Sequence, residues 1–443
     1  MKRSINDAGE GQPPKRKSSI QPKDEPLKQG LYLSKVISKS IARQPGCLSM
    51  RDVVKKIRPV KTIFFTFQWE VAFVKDMFAD VPNGLDDISV VEGIPESLVR
   101  NTPGGITAPP QLPQVKHVII PMKAYASHHC KLNVFLDAKN VLHLIIATGN
   151  LYSEEWDNFT QLFYYCNSEV KETNTVQEND HFIHDLDTYL TNAYRNIYKY
   201  EEIILPWIKL LRKTNFTHIK DRLVFSIPGT KNDFAMSNMG TALVSRYLEE
   251  NGNPKIDRLI AQVSSIGSLG GTPGDWLTPH FVKNMTNGQM TNLENFSIIY
   301  PSVDDVREFV GGYKSSFILP YSDSIHSKQT YIVPLLCRWK ADKIKRSRHG
   351  PHVKSYTALD PEGSPIYQYI GSHNLSKAAW GYKRGRAWFM LNFELGILVM
   401  DKSRMLINHD LPVTPYQIND IPWRRDMEWL EKDCTGNVYS FGD

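Results

Sequence analysis

Residues 129–156 read HCKLNVFLDAKNVLHLIIATGNLYSEEW, and residues 352–380 read HVKSYTALDPEGSPIYQYIGSHNLSKAAW. Each stretch opens on His-x-Lys, as His129 with Lys131 and His352 with Lys354, and reaches an asparagine, Asn150 or Asn374. The asparagine follows its histidine by 21 residues in the first copy and by 22 in the second; in both, Leu, four residues and Trp come next. Between the two ends, Lys131 to Leu136 and Val141 to Thr148 flank the turn Asp137-Ala138-Lys139-Asn140. Ser355 to Ala358 and Ile366 to Ile370 flank a turn around Asp360 to Gly363. The pattern predicts strand, turn and strand in each copy. On a strand, residues two apart share a face, so each His-x-Lys projects both side chains together, and the hairpin brings its asparagine back to them.

Two such sets in one chain predict two halves closing around one phosphate. A buried imidazole can attack phosphorus and form a phosphohistidine, while a second protonates the departing oxygen and then activates water. Lysines and asparagines hold the non-bridging oxygens and offset charge in the transition state. A helix is expected to start after each asparagine, over Leu151 to Trp156 and Leu375 to Trp380, adding its N-terminal dipole. Which histidine attacks stays open at this point. The chain carries its own controls: His218-Ile219-Lys220 and His326-Ser327-Lys328 lack the downstream Asn-Leu and Trp and read as surface pairs.

The 443 residues, 41% of them hydrophobic, are more than one typical domain needs. The expected organisation is a polar tail over 1–30 and two α/β domains over 31–220 and 221–443, since strands and helices alternate in both parts. The tail carries Lys2-Arg3 and Pro13-Pro14-Lys15-Arg16-Lys17, which read as a bipartite nuclear-import signal and predict a nuclear location. Asp185 to Leu211 has helical periodicity. Five cysteines, odd in number and far apart, argue against a disulfide framework or a structural zinc site. No apolar run has membrane-spanning length. A net charge of +6 suits a polyanionic partner. The run Arg338, Lys340, Lys343, Lys345, Arg346, Arg348, just before His352, is a solvated face or a surface for such a partner.

These residues resemble the phospholipase D superfamily, whose motif is His-x-Lys, four residues, Asp, then Gly-Ser-x-Asn. Gly371-Ser372-His373-Asn374 matches the last part and Thr148-Gly149-Asn150 matches it partially. The motif Asp is missing, because Leu136 and Leu359 stand in its place with Asp137 and Asp360 one residue later. That loss points to the tyrosyl-DNA phosphodiesterase branch. Ser127 to Lys131, Ser264 to Gly270, Ile299 to Val303, Asn374 to Gly381 and Phe393 to Gly396 all resemble that branch.

The resemblance implies two α/β/α sandwich domains related by a pseudo-two-fold, with one active site at their interface. It implies His129 as nucleophile, His352 as general acid and then base, and Lys131, Lys354, Asn150 and Asn374 on the phosphate. Gln161 and Glu394 would orient His352 and His129, respectively. Tyr125 would stack on a base of single-stranded DNA, and Ser265, Ser268 and Ser376 would meet backbone phosphates. Trp423 would be the peptide-side aromatic. No metal or other cofactor is implied. The substrate would be DNA with a 3′-phosphotyrosyl end left by topoisomerase I, and the protein a monomer. Read without the resemblance, Tyr125 is a core aromatic, Ser265 and Ser268 are turn residues, and Gln161 and Glu394 are polar core residues. Trp156 and Trp380 read as packing residues, and His128 as structural. The rival functions are a lipid phosphodiesterase or DNA nuclease of the superfamily, or a non-catalytic DNA-repair scaffold. The first should keep the motif Asp, the second is often a dimer with one motif per chain, and the third should have lost a His or Lys.

Overall fold

A computed structural model describes residues 25–441 except 38–40, 42–43, 103–105, 107 and 174–177. The basic clusters at 2–3 and 13–17, read above as an import signal, lie outside the described residues. The first part of the chain forms β1 (Gly30–Leu33), β2 (Pro59–Thr66), β3 (Ile88–Pro95), β4 (Lys116–Met122), β5 (Leu132–Asp137), β6 (Val141–Ala147) and β7 (Leu162–Glu169). The rest adds β8 (Arg222–Ser226), β9 (Gly229–Lys231), β10 (Arg258–Gln262), β11 (Phe296–Ile299), β12 (Leu336–Cys337) and β13 (Lys354–Leu359). After these come β14 (Pro365–Gly371), β15 (Tyr382–Arg384), β16 (Ala387–Met390) and β17 (Glu394–Val399).

Two seven-stranded sheets result, ordered β1-β7-β6-β5-β2-β3-β4 and β8-β17-β14-β13-β10-β11-β12. Taken strand by strand they match in order and in sense. In each, the first five strands of that order pair antiparallel and the last two pairings are parallel. The duplication seen in the sequence is therefore a duplication of the whole sheet. β9, β15 and β16 form a small third sheet with no counterpart among the described residues of the first half.

Alternate residues of the first sheet serve two cores. Ile63, Phe65, Leu142, Leu144, Ile146 and Tyr164 face a large core shared with the second sheet, whereas Phe64, Ile145, Phe163 and Tyr165 face a smaller outer core. A sheet buried on both faces needs runs of apolar residues, which is what β6 carries. The helix His181–Tyr194 packs in the shared core, and β6 lies against β14 and β17.

The expected helix over 185–211 is interrupted after Tyr194. Lys199 has φ +65°, a π-helical turn spans Tyr200–Ile204, and a new helix covers Leu205–Leu211 with Pro206 in its first turn. Proline lacks the N–H that a continuous helix would need at that point.

Both hairpins close on an aspartate. Asp137 Oδ1 accepts from Lys139 N (2.9 Å) and Val141 N (2.8 Å), with Asn140 at φ +61°. Asp360 Oδ1 accepts from Ser364 N (2.7 Å), with Gly363 at φ +81°. The two acids that stand one place off the superfamily motif are turn residues at the end of the hairpin away from His-x-Lys.

Trp380 is fully buried among aromatic rings, stacked 4.0 Å from His373, and donates Nε1–H to Tyr356 Oη at 3.3 Å. Trp380→Ala is expected to destabilise the fold by about 3–5 kcal/mol, read as a lower denaturant midpoint at unchanged m-value.

Candidate active site

Each His-x-Lys segment runs extended just ahead of its strand and pairs with the other half of the chain. His129 N–H donates to Phe393 O (3.0 Å) and Phe393 N–H to Ser127 O (2.9 Å). In the second copy His352 N–H donates to Thr160 O (3.1 Å) and Thr160 N–H to Gly350 O (2.9 Å). Phe393 and Thr160 directly precede Glu394 and Gln161, so the exchange places each of those side chains on the other half's histidine. His129 Nδ1 lies 3.0 Å from Glu394 Oε2, and His352 Nδ1 lies 3.2 Å from Gln161 Nε2. Gly149 makes room for this: a Cβ there would sit 2.9 Å from Gln161 Cδ.

A residue not singled out from the sequence completes the second pair. Glu155, in the helix Ser153–Asn158, places Oε2 3.1 Å from His352 Nδ1 and is itself buried. Asn150 fixes that carboxylate, with its N–H on Oε2 and its Nδ2 on Oε1, both at 2.7 Å. Asn392 Nδ2 does the same for Glu394 Oε1 at 2.9 Å. Glutamates in the first turn of a helix are ordinarily exposed, so Ser153-Glu154-Glu155 gave no signal of a buried orienting group.

Burial works to raise both carboxyl groups. It is outweighed at Glu155 by His352 and Asn150, and at Glu394 by His129 and its neighbours, so both sit at about 2. Burial lowers the histidines, His352 to about 4, with the lysines adding to the effect and the carboxylates opposing it. Each pair is thus an ionised carboxylate accepting Nδ1–H from a neutral imidazole, which leaves Nε2 as the reactive nitrogen.

The lysines are buried as well. Lys131 Nζ donates to His129 O at 2.8 Å and Lys354 Nζ to His352 O at 2.6 Å; among the described residues neither has a carboxylate within ion-pair distance. Burial pushes Lys131 down to about 8 and Lys354 well below its usual range, with Glu394 and Glu155 opposing. Phe67 closes one side, edge-on to His129 at 5.4 Å with Lys131 Nζ 5.7 Å from its ring centre; the sequence reading missed it.

The two asparagines differ. Asn374 Oδ1 accepts from Ser265 N (3.0 Å) and Ser264 N (3.2 Å), which leaves its Nδ2 to donate to an anion. Asn150 gives its Nδ2 to Glu155, and its buried Oδ1 has no partner among the described residues. Its part as a donor to phosphate is corrected accordingly: it holds the carboxylate. The helices after the asparagines have six and four residues and begin three residues downstream, so side chains rather than helix dipoles supply the positive potential.

Tyr125 is 92% exposed, with φ +64°, in an open groove that runs past Lys123 and Ser127 to Phe67. It is not a core aromatic. Ser268 is exposed and Ser265 and Ser376 partly so; Gly267 N–H on Leu375 O (2.9 Å) lays their two loops together. Trp423 is corrected: it is fully buried against Tyr313, Tyr439 and Trp429, so no peptide can reach it. The basic run before His352 is largely tied into the fold. Arg338 pairs with Asp305, Arg346 is buried on Ser34 O and Gln44, Arg348 donates to Glu308 O, and Lys343 to Leu411 O. His128 bonds Thr66 O and Tyr194 Oη in the core. Among the described residues no group of three or more His, Cys, Asp or Glu side chains could hold a metal ion.

The family model for tyrosyl-DNA phosphodiesterase matches residues 31–432. The probable tyrosyl-DNA phosphodiesterase of Caenorhabditis elegans is 30% identical over 451 residues, covering 97% of this chain and 96% of its own. Tyrosyl-DNA phosphodiesterase 1 of Drosophila melanogaster is 28% identical over 68% of this chain and 57% of its own. A crystal structure of the yeast tyrosyl-DNA phosphodiesterase superposes with a TM-score of 0.70 at 19% identity, over 90% of this chain and 100% of that one. The last comparison establishes the shared fold.

Two outcomes follow from the site's electrostatics. Glu155→Gln keeps the shape but removes the charge that supports a protonated His352. Phosphodiester cleavage is expected to slow by about 10²-fold at unchanged melting temperature, with Glu155→Asp recovering part of the loss. Lys131 is charged below its pKa and neutral above it, so kcat/KM is expected to fall as pH rises through about 8. Lys131→Arg should remove the part of that alkaline limb that Lys131 contributes and leave the part due to Lys354.

Proposed function

We propose that this chain, which belongs to the tyrosyl-DNA phosphodiesterase family, hydrolyses the bond between a tyrosine and the 3′-phosphate of a DNA end. The observation that carries the reading is the exchange between halves that gives two histidines one buried carboxylate each, with two buried lysines beside them. Such a site can treat both faces of one phosphorus atom.

In the first step Nε2 of His129 attacks phosphorus and the P–O bond to tyrosine breaks. His352 gives its proton to the departing phenolate. That proton is carried on an imidazolium favoured by Glu155 and by the arriving phosphate, whose negative charge raises the pKa of a nearby histidine. In the second step His352, now neutral, takes a proton from water. The water oxygen displaces His129 from phosphorus, leaving a 3′-phosphate and both histidines as they began. Lys131, Lys354 and Asn374 hold the non-bridging oxygens throughout. The natural substrate on this reading is the peptide remnant of a type IB topoisomerase on a DNA 3′ end. The protein acts as a monomer, since one chain holds both motifs, and the N-terminal basic clusters direct it to the nucleus.

The test is release of tyrosine from a 3′-phosphotyrosyl oligonucleotide with EDTA present. Turnover to a 3′-phosphate is expected without added metal. His129→Ala should abolish it, and His352→Ala should slow breakdown of a covalent enzyme–DNA species that can be trapped on a denaturing gel. Loss of all wild-type turnover to EDTA, or an unchanged rate in His129→Ala, would sink the mechanism.

A further inference from the structure

The two halves are copies, yet the substrate proposed above is different on its two sides: nucleic acid on one, peptide on the other. Discrimination must come from parts the halves do not share. One such part beside the catalytic groups is an insert. In the first half the helix Ser153–Asn158 reaches Gln161 through residues 159–160, whereas in the second half the helix Lys377–Trp380 reaches Glu394 through residues 381–393. That longer link is the β15–β16 hairpin.

Its stem is fixed to the site. Leu391 and Asn392 both donate N–H to Ala378 O at 3.2 Å, Trp276 Nε1–H donates to Gly381 O at 2.8 Å, and Asn392 holds Glu394. Its tip is basic: Lys383, Arg384 and Arg386 are exposed, and among the described residues Arg384 and Arg386 form no ion pair. Lys231 on β9 stands opposite Trp388 on β16. Aromatic rings are interleaved. Lys383 Nζ lies 5.4 Å from the Trp388 ring centre, and Phe234 is 80% exposed. Asp233 next to it accepts from both Lys383 (3.0 Å) and Trp388 Nε1 (2.6 Å), which offsets one positive charge and leaves the arginines unopposed.

We propose that this hairpin is a second nucleic-acid contact, gripping the phosphate backbone of the DNA strand beyond the nucleotide that carries the tyrosine. Guanidinium groups at the hairpin tip suit phosphate oxygens, and an exposed ring beside them suits a base of a single strand. The stem fixes the tip relative to the reacting phosphorus, so the contact sets how much of the strand is engaged. Ser376, one of the positions that the resemblance places on DNA, caps the helix whose Ala378 O holds the hairpin stem, so the hairpin would extend that surface. The proposal rests on the tyrosyl-DNA reading.

The test compares Arg384→Ala/Arg386→Ala with the wild-type protein on two 3′-phosphotyrosyl single strands, a dinucleotide and one of about twelve nucleotides. The variant is expected to raise KM for the longer strand by about tenfold at unchanged kcat, and to leave the dinucleotide alone. Between about 50 and 200 mM salt, its slope of log KM against log salt should be shallower by about 1.4, roughly 0.7 for each of two lost phosphate contacts on a single strand. Arg384→Lys/Arg386→Lys should restore the slope. Equal KM and slope for variant and wild type on the longer strand would overturn the proposal, as would an equal loss on both lengths. A wild-type protein that released tyrosine from neither strand would instead overturn the function on which the proposal rests.

Discussion

Four backbone hydrogen bonds hold the site in being: His129 to Phe393, Phe393 to Ser127, His352 to Thr160, and Thr160 to Gly350. They are sheet-like pairings, but each crosses from one half of the chain to the other. Buried N–H and C=O groups must find partners, so these short segments can leave water only when both halves have formed and docked. The chemistry follows from the register. The residue after Phe393 is the carboxylate for His129, and the residue after Thr160 is the amide for His352. A shift of one residue in either pairing would turn the orienting side chain to the opposite face.

That arrangement concentrates charge where water is scarce. Glu155 and Glu394 are compensated, each holding an asparagine amide and an imidazole N–H. The lysines are less well served, since each gives one hydrogen bond to the carbonyl of its own motif histidine. An uncompensated buried ammonium loses its proton more readily, and burial accordingly pulls Lys131 below the usual lysine range. On the proposed mechanism a phosphate oxygen would supply the missing negative partner, which would link substrate binding to the charge on the lysines. The charged form of each lysine is therefore less favoured in the empty site than it would be beside an anion.

The sequence carried the two hairpins and the paired His-x-Lys and Asn positions openly, because β-turn chemistry and strand periodicity are local. Mixed α/β sheets follow from the same signals. What it hid depended on tertiary placement. Glu155 has the local pattern of an exposed helix-start acid, and only the docking of His352 from the other half makes it a buried partner. Asn150 shares the motif position of Asn374, yet the carboxylate five residues on turns its amide away from phosphate. Trp423 read as a ligand-facing aromatic, but the C-terminal segment folds back and seals it with Tyr439. The basic run at 338–348 read as a possible surface, but Arg338 is paired with Asp305 and Arg346 and Arg348 are held by backbone carbonyls. In each case composition at a site is local information, while burial is not.

A duplicated site poses a chemical problem for the proposed mechanism, which asks the two histidines to do different things. The structure breaks the equivalence at two places. The strand position that supplies a carboxylate to His129 supplies an amide to His352, as Glu394 and Gln161 show. The helix position five residues after the asparagine is Glu155 in one copy and Ala379 in the other. The first change alone would strip His352 of the negative charge that favours its protonated form. The second returns that charge from a different element, held by two bonds from Asn150. His129 is thus kept as a nitrogen base with one firm acceptor at Nδ1, suited to forming a bond to phosphorus. His352 is flanked by an amide and a clamped carboxylate, which suits a group that must give up a proton in one step and take one in the next. Two compensating substitutions within a repeated scaffold are enough to turn symmetry of fold into division of labour.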